Sequence, residues 1–348
     1  MAHPLLPVCT TLASLLFAGS EADLVFVGDA MQHKAQLEAA RSGGKYDYSP
    51  CFAGIDSIVS AADYAVVNLE TPVGKGPYSG YPCFNAPTEF ADALADAGFD
   101  MMLTANNHTL DHGPKGLRAT IKHLDSIGID HIGTYADDSA RIKALPKVVN
   151  VKDFKIGFLN YTYGTNGIEP RQGVVVDYID KEKIKNDIEA TRLAGAELLA
   201  VCMHWGDEYR LLPNATQKQL ADFLESQGVD MIIGAHPHVI QPMEFRENKY
   251  FPGRELFLIY SLGNFVSNMK TADTRGGAMA HLKIYRDYDG KARLKEASYR
   301  LLFTIPGKYE VVEADSVKAP MWQGKAKNFA DRARNIFDKH NISVPESK

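Results

Sequence analysis

No apolar run in this sequence reaches the roughly 20 residues that a helix needs to cross a bilayer. Nor is there a surplus of basic charge. Lys and Arg total 38 against 43 Asp and Glu, for a net charge of −5 at pH 7. No basic run of the kind that attracts a phosphate backbone is present, so nucleic acid is not an expected partner. Cysteine is scarce, with four in 348 residues, too few for a disulfide-dense scaffold. Cys202 lies in an apolar strand-like run, where a thiol behaves as a small hydrophobe. Cys51 and Cys83 fall in loop-like sequence, and whether they pair stays open at this level.

The chain does have apolar content, 45% of it, enough for one large core or two ordinary ones. Pro4 to Phe17 is apolar and is followed by the small residues Ala18, Gly19 and Ser20. That pattern resembles the core and cleavage site of a signal peptide, so residues 1–22 are expected to direct export to the periplasm or cell surface. No Lys or Arg precedes Lys34, which leaves a cytoplasmic protein with an unrelated start as the competing reading.

From Thr88 onward one unit recurs: an amphipathic helix, a glycine, then a short apolar strand. Thr88–Ala97, Lys115–Ile127, Lys181–Ala194 and Asn214–Gln227 are the expected helices, stopped by Gly98, Gly128, Gly195 and Gly228. Strands are expected at Leu24–Val27, Tyr64–Val67, Met101–Thr104, Ile129–Gly133, Lys155–Asn160, Leu198–Met203, Met231–Ile233 and Glu255–Tyr260. Such alternation implies crossovers and a largely parallel sheet. A helix is also expected near Ile55–Ala62, and Gly74–Pro87 reads as a long loop. Its Tyr78, Tyr81 and Phe84 favour a folded loop near a site. Later, Ala278–Tyr285 and Ala292–Ile305 read as antiparallel strands joined at Asp289-Gly290, and Trp322–His340 as a closing helix. The domain is expected to span 23–310, with 311–348 a helical extension packed on it.

Five strands end in short polar clusters: Asp29; Asn68 with Glu70; Asn106, Asn107 and His108; His204; and His236 with His238. In open α/β sheets, sites form beyond the carboxyl ends of strands. Turn chemistry explains any one cluster, because Asn and Asp favour turns, but explains five poorly. Carboxylates, a carboxamide oxygen and several imidazoles make up a ligand set for divalent transition ions.

The motifs Gly28-Asp29-x-Met31, Asn68-Leu69-Glu70, Asn106-Asn107-His108, His204-Trp205-Gly206, Gly234-x-His236-Pro237-His238 and Ser261-Leu262-Gly263-Asn264-Phe265 resemble those of the CapA (PgsA-type) poly-γ-glutamate capsule biosynthesis family. That family is similar in turn to calcineurin-like metallophosphoesterases. The resemblance implies an α/β fold of two packed sheets flanked by helices, and one or two ions of Mn, Fe or Zn. It further implies that Asp29, Glu70, Asn107, His204, His236 and His238 are metal ligands, with Glu70 bridging, and that His108 is a general acid. The flanking His33, Asn68, Asn106, Trp205 and Asn264 are the candidates for substrate contact, although Trp205 also reads as packing and Asn264 as turn-stabilising. The implied function is hydrolase-like and tied to the synthesis or export of an anionic polymer, with membrane-bound synthesis proteins as partners. The competing reading is a noncatalytic accessory that binds polymer in the same pocket.

Two departures bear on activity. Met31 stands where phosphoesterases of this class carry a histidine, and a thioether is a poor ligand for hard divalent ions. Glu70 replaces an aspartate, lengthening the bridging arm by a methylene.

Overall fold

The computed structural model describes residues 20–347, so most of the signal-like segment lies outside the described residues. Two sheets pack face to face. One runs from edge to edge through Glu310–Glu313, Ala292–Ile305, Gly276–Arg286, Glu21–Ala30, Tyr64–Leu69, Met101–Leu103 and Asp130–Ile132; Asn264–Val266 pairs with the end of Glu21–Ala30. The other runs through Lys147–Val151, Phe154–Thr162, Leu198–His204, Met231–Ala235, Glu255–Ile259 and Met243–Glu247. The central strands of both are parallel, so their carboxyl ends gather at one end of the seam. The expected α/β architecture of two packed sheets flanked by helices is the one observed.

Alternation along each strand sorts the core into layers. Leu24, Phe26, Tyr64, Val66, Met101, Ile156, Phe158, Leu198, Ala200 and Met231 point between the sheets. Their neighbours Val25, Val27, Ala65, Val67 and Met102 face the helices over the first sheet. Leu159, Leu199, Val201 and Ile232 face those over the second. The strands therefore read as unbroken apolar runs, because both faces are covered.

Expected helices appear at Glu89–Asp96, Gly113–Ile127, Lys181–Leu193 and Ala215–Ser226. Gly128, in the left-handed conformation at φ 72°, ends the second of them. Near Ile55–Ala62 only Asp56–Val59 is helical, a single turn rather than the expected helix. The loop Gly74–Pro87 is folded, with Val73–Gly74 paired to Ala86–Pro87 and Ser79 bridged to Asn85. Lys147–Val151, Met243–Glu247 and Glu310–Glu313 were not expected as strands. All three are sheet edges, where short strands broken by polar or charged residues lack the long apolar run that marks a central one.

The helix Pro320–His340 sends Ala326, Phe329, Ala330, Ala333 and Phe337 into the core between the sheets. At the other terminus, the first strand begins at Glu21, inside the expected boundary at 22, and Ala22 is already buried. Cys51 and Cys83 are free: Cys51 is buried, with its thiol facing the Lys308 carbonyl at 3.9 Å, while Cys83 is exposed. No described helix is long and apolar enough to cross a membrane.

Candidate metal centre

Each sheet delivers its polar residues past a glycine that lets another segment approach closely. A Cβ on Gly28 would lie 1.9 Å from the Gly263 carbonyl oxygen, and one on Gly234 would lie 2.0 Å from that of Tyr260. Beyond Gly28 the pairing with Tyr64–Leu69 shifts register between Val27 and Asp29, an irregularity that re-aims the side chain. Beyond Gly234, His236 and His238 take left-handed backbone conformations, at φ 99° and 57°. Non-glycine residues hold such conformations only where the surroundings fix them, and these positions cluster at functional sites. The turn also aims the His236 amide at Asp29 Oδ2, 3.3 Å away.

Asp29, Glu70, His204, His236 and His238 converge and are buried. Ligand atoms of Glu70, His236 and His238 lie within 4.8 Å of one another, as do those of Asp29, Glu70 and His204. Glu70 belongs to both groups. His204 Nε2 is 3.6 Å and His238 Nε2 3.9 Å from Glu70 Oε1. Asn107 joins them, its Oδ1 2.8 Å from His204 Nε2. Asp29 Oδ1 accepts from Asn68 Nδ2 at 2.8 Å, and Oδ2 lies 3.1 Å from His238 Nδ1.

The electrostatics are lopsided. Burial opposes ionisation of Asp29, but hydrogen bonding and the electrostatic pull of His238, with a further hydrogen bond from Asn68, hold it well below the usual carboxylate range. Glu70 goes the other way, raised well above the ordinary value by burial and then by the charge of Asp29. Neither Glu70 oxygen has a hydrogen-bond partner, and neither has His236 Nδ1. Burial, reinforced by neighbouring imidazoles, lowers His204 well below its ordinary value and pushes His236 down to about 3. Imidazoles that stay neutral keep a lone pair to offer. Orphaned oxygens on a buried carboxylate beside them fit a divalent cation, whose charge reverses the local penalty.

Around this cluster the other expected residues divide. His108 is buried, with Nδ1 2.8 Å from Asp111 Oδ2, and Phe84 meets its ring edge-on at 4.6 Å. Asn68 and Asn106 brace the site: Asn106 donates to the Leu69 carbonyl at 2.8 Å and accepts from the His108 amide at 3.2 Å. Asn264 Oδ1 sits 3.1 Å from His238 Nδ1, while its amide donates to the Thr274 carbonyl. Trp205 is buried in the layer beneath the second sheet's helices and donates to the Tyr260 carbonyl at 2.9 Å. His33 stands further out, with Nδ1 3.3 Å from the Asn268 amide and its ring edge-on to Phe84 at 5.2 Å. Met31 is buried and donates its amide to Val266.

Sequence reasoning missed Asp111, Asn166 and two tyrosines. Asp111 fixes His108 and also accepts from the Phe84 amide at 2.7 Å; its only signal was its place three residues after His108. Asn166 accepts from Asn107 at 3.2 Å. Tyr163 lies over His236 with ring centroids 4.6 Å apart, and Tyr209 lies 6.2 Å from His238.

The family model described as "Bacterial capsule synthesis protein PGA_cap" matches residues 23–269. The chain is 29% identical over 279 residues to the PGA biosynthesis protein CapA of Bacillus subtilis, covering 76% of this chain and 68% of that protein. It is 28% identical over 331 residues to the capsule biosynthesis protein CapA of Bacillus anthracis, covering 87% and 75%. Among solved structures, the Haemophilus influenzae NAD nucleotidase superposes with a TM-score of 0.51 at 13% identity, over 94% of this chain. Only 57% of the nucleotidase chain is spanned, and the likeness is one of fold.

Proposed function

Because the chain belongs to the bacterial capsule synthesis family PGA_cap, we propose that it is a metal-dependent, hydrolase-like protein. It would act in the synthesis or export of an anionic capsule polymer of the poly-γ-glutamate type. The observation that carries this reading is Glu70, a fully buried carboxylate whose two oxygens lack hydrogen-bond partners and which belongs to both ligand groups. A purely structural carboxylate at such depth would be hydrogen-bonded or paired.

Asp29, Glu70, His204, His236 and His238 would hold one or two ions of the Mn, Fe or Zn type, with the Asn107 amide oxygen beside them. When bound, such ions supply Lewis acidity and a water of lowered pKa. Asp29, hydrogen-bonded to Asn68 and His238, is set to remain an anion. His108 has Nδ1 committed to Asp111, so proton exchange with a leaving oxygen falls to Nε2. Phe84 packs edge-on against that ring, and Asn106 holds the His108 backbone amide.

Turnover of phosphomonoester, phosphodiester and γ-glutamyl substrates by the Mn²⁺-loaded protein tests the reading. Activity is expected in the wild type and is lost in Glu70→Ala and His236→Ala; activity unchanged in both variants would sink the site. Buried Met31, in the place of a histidine ligand, favours a second reading in which the pocket binds polymer without turning it over. Metal-loaded protein that binds polymer but turns over nothing would support that one. Both readings carry export and membrane-bound synthesis partners with them. Cleavage near Ala18–Ala22, read by amino-terminal sequencing of the natively produced protein, tests export.

A further inference from the structure

Outside the metal centre, a groove of about 490 Å³ runs between the segment 73–77 and the helix Gly113–Ile127. Its charge is one-sided. Lys75, Lys115 and Lys122 line it with His112 and His123, and no carboxylate does, although the chain carries a net charge of −5. The three lysines are exposed and form no ion pair among the described residues. Of the imidazoles, His123 is engaged by Asp92 at 2.6 Å. Lys115 and Lys122 are seven residues apart on one face of the helix, about 10 Å along its axis. Val73 and Ala119 give the groove an apolar floor between the charges.

The groove and the metal centre share a wall. His112, which lines the groove, directly follows Asp111, which holds His108. Asn85 donates to the carbonyls of Lys75 and Pro77 at 3.0 and 2.8 Å, closing the groove's rim. Its neighbour Phe84 packs against His108 on the other side.

We infer that this groove is a docking track for the anionic polymer, a polyamide bearing carboxylates, which it leads toward the metal centre. The inference rests on the anionic-polymer reading given above. The methylenes of such a chain match the apolar floor, and its carboxylates match ammonium groups that have no internal partner. Neutralising spaced charges also makes the affinity sensitive to salt.

The test is fluorescence anisotropy of labelled poly-γ-glutamate with the full chain. It compares wild type, K75E/K115E/K122E, the milder K75Q/K115Q/K122Q, and K291E/K318E/K339E, which makes the same charge change at exposed lysines elsewhere. Metal content and thermal midpoint report that each variant is folded. The groove charge reversal is expected to weaken binding on the order of tenfold or more, the glutamine triple less, and the distant triple least, with metal content unchanged in all. Equal binding by wild type and both groove triples overturns the groove alone, as does equal weakening by the distant triple. No binding by the wild type overturns the groove together with the polymer reading.

Discussion

The sheet built on Glu21–Ala30 brings oxygen atoms to the candidate metal centre, in Asp29, Glu70 and the Asn107 carboxamide, whereas the sheet built on Leu198–His204 brings nitrogens, in His204, His236 and His238. Away from that end the two are alike, each alternating apolar residues between the shared core and its own helix layer. At the seam, burial acts on them with opposite consequences. It keeps His204 and His236 neutral, the form in which an imidazole is least costly to bury. It leaves Glu70 resisting the charge that its side chain normally carries. The oxygen side thus holds a buried carboxylate without a partner, and the nitrogen side holds imidazoles with lone pairs to offer.

The largest expected effect separates the sides by sign. Glu70→Gln should weaken metal retention about 100-fold or more, measured by elemental mass spectrometry after Mn²⁺ loading and gel filtration. The metal-free variant should nonetheless be as stable as wild type or more so, by about 1–2 kcal/mol, because a neutral amide replaces an unpaired buried carboxylate. His236→Ala should lose metal too, but with a lower metal-free thermal midpoint, since it removes a packed ring. If Glu70→Gln instead destabilised the metal-free protein, the oxygen side would carry no charge strain.

Next in size is a loss of turnover without loss of metal. His108→Ala should slow turnover by about 10²- to 10⁴-fold while metal content stays at the wild-type level. Asp111→Asn should cost less, about tenfold, by loosening the ring that Asp111 holds through Nδ1. Metal loss in His108→Ala would move that residue into the ligand set.

The two close-approach glycines probe whether the sheets depend equally on backbone fit. Gly28→Ala would set a Cβ against the Gly263 carbonyl, and Gly234→Ala would set one against both the Tyr260 carbonyl and, at 2.7 Å, Trp205 Nε1. Each should destabilise the protein by about 2–4 kcal/mol in urea denaturation. A cost in only one of them would mean that the other segment yields.

The central strands were legible in the sequence because both their faces are covered and each glycine stop is explicit. The edges Lys147–Val151, Met243–Glu247 and Glu310–Glu313 were not, since a short edge half in water interrupts its apolar residues with polar or charged ones. For the site, the dense motifs marked the residues that the fold brings together at the seam. Asp111 stayed hidden because a carboxylate in a turn is ordinary until the fold turns it toward His108. Trp205, beside His204, reads in the sequence both as a substrate contact and as packing, and the fold decides for packing because successive residues leaving a strand face different layers. Phe84 fell between these cases: a loop rich in aromatics was marked as folded and near a site, but not which ring it would press against.

The smallest effect concerns His33, the imidazole standing apart on the oxygen side. Burial pushes it down to about 4 from an ordinary value near 6.5, against the Gln36 Oε1 that lies 3.2 Å from its Nδ1 and favours the charged ring. Above pH 6.5 the folded and unfolded chains both leave this ring neutral, and its contribution is fully present. Between about 6.5 and 4 the unfolded chain takes up a proton that the folded protein refuses, so stability falls as the pH falls, by about 3 kcal/mol for this residue. His33→Asn removes the titration while keeping a residue suited to cap the helix Lys34–Ala40. Urea midpoints at pH 7 and pH 4.5 should therefore differ less in the variant than in the wild type. Identical differences would mean that the drop in acid comes from the buried histidines of the nitrogen side, and that only one side of the centre is sensitive to acid.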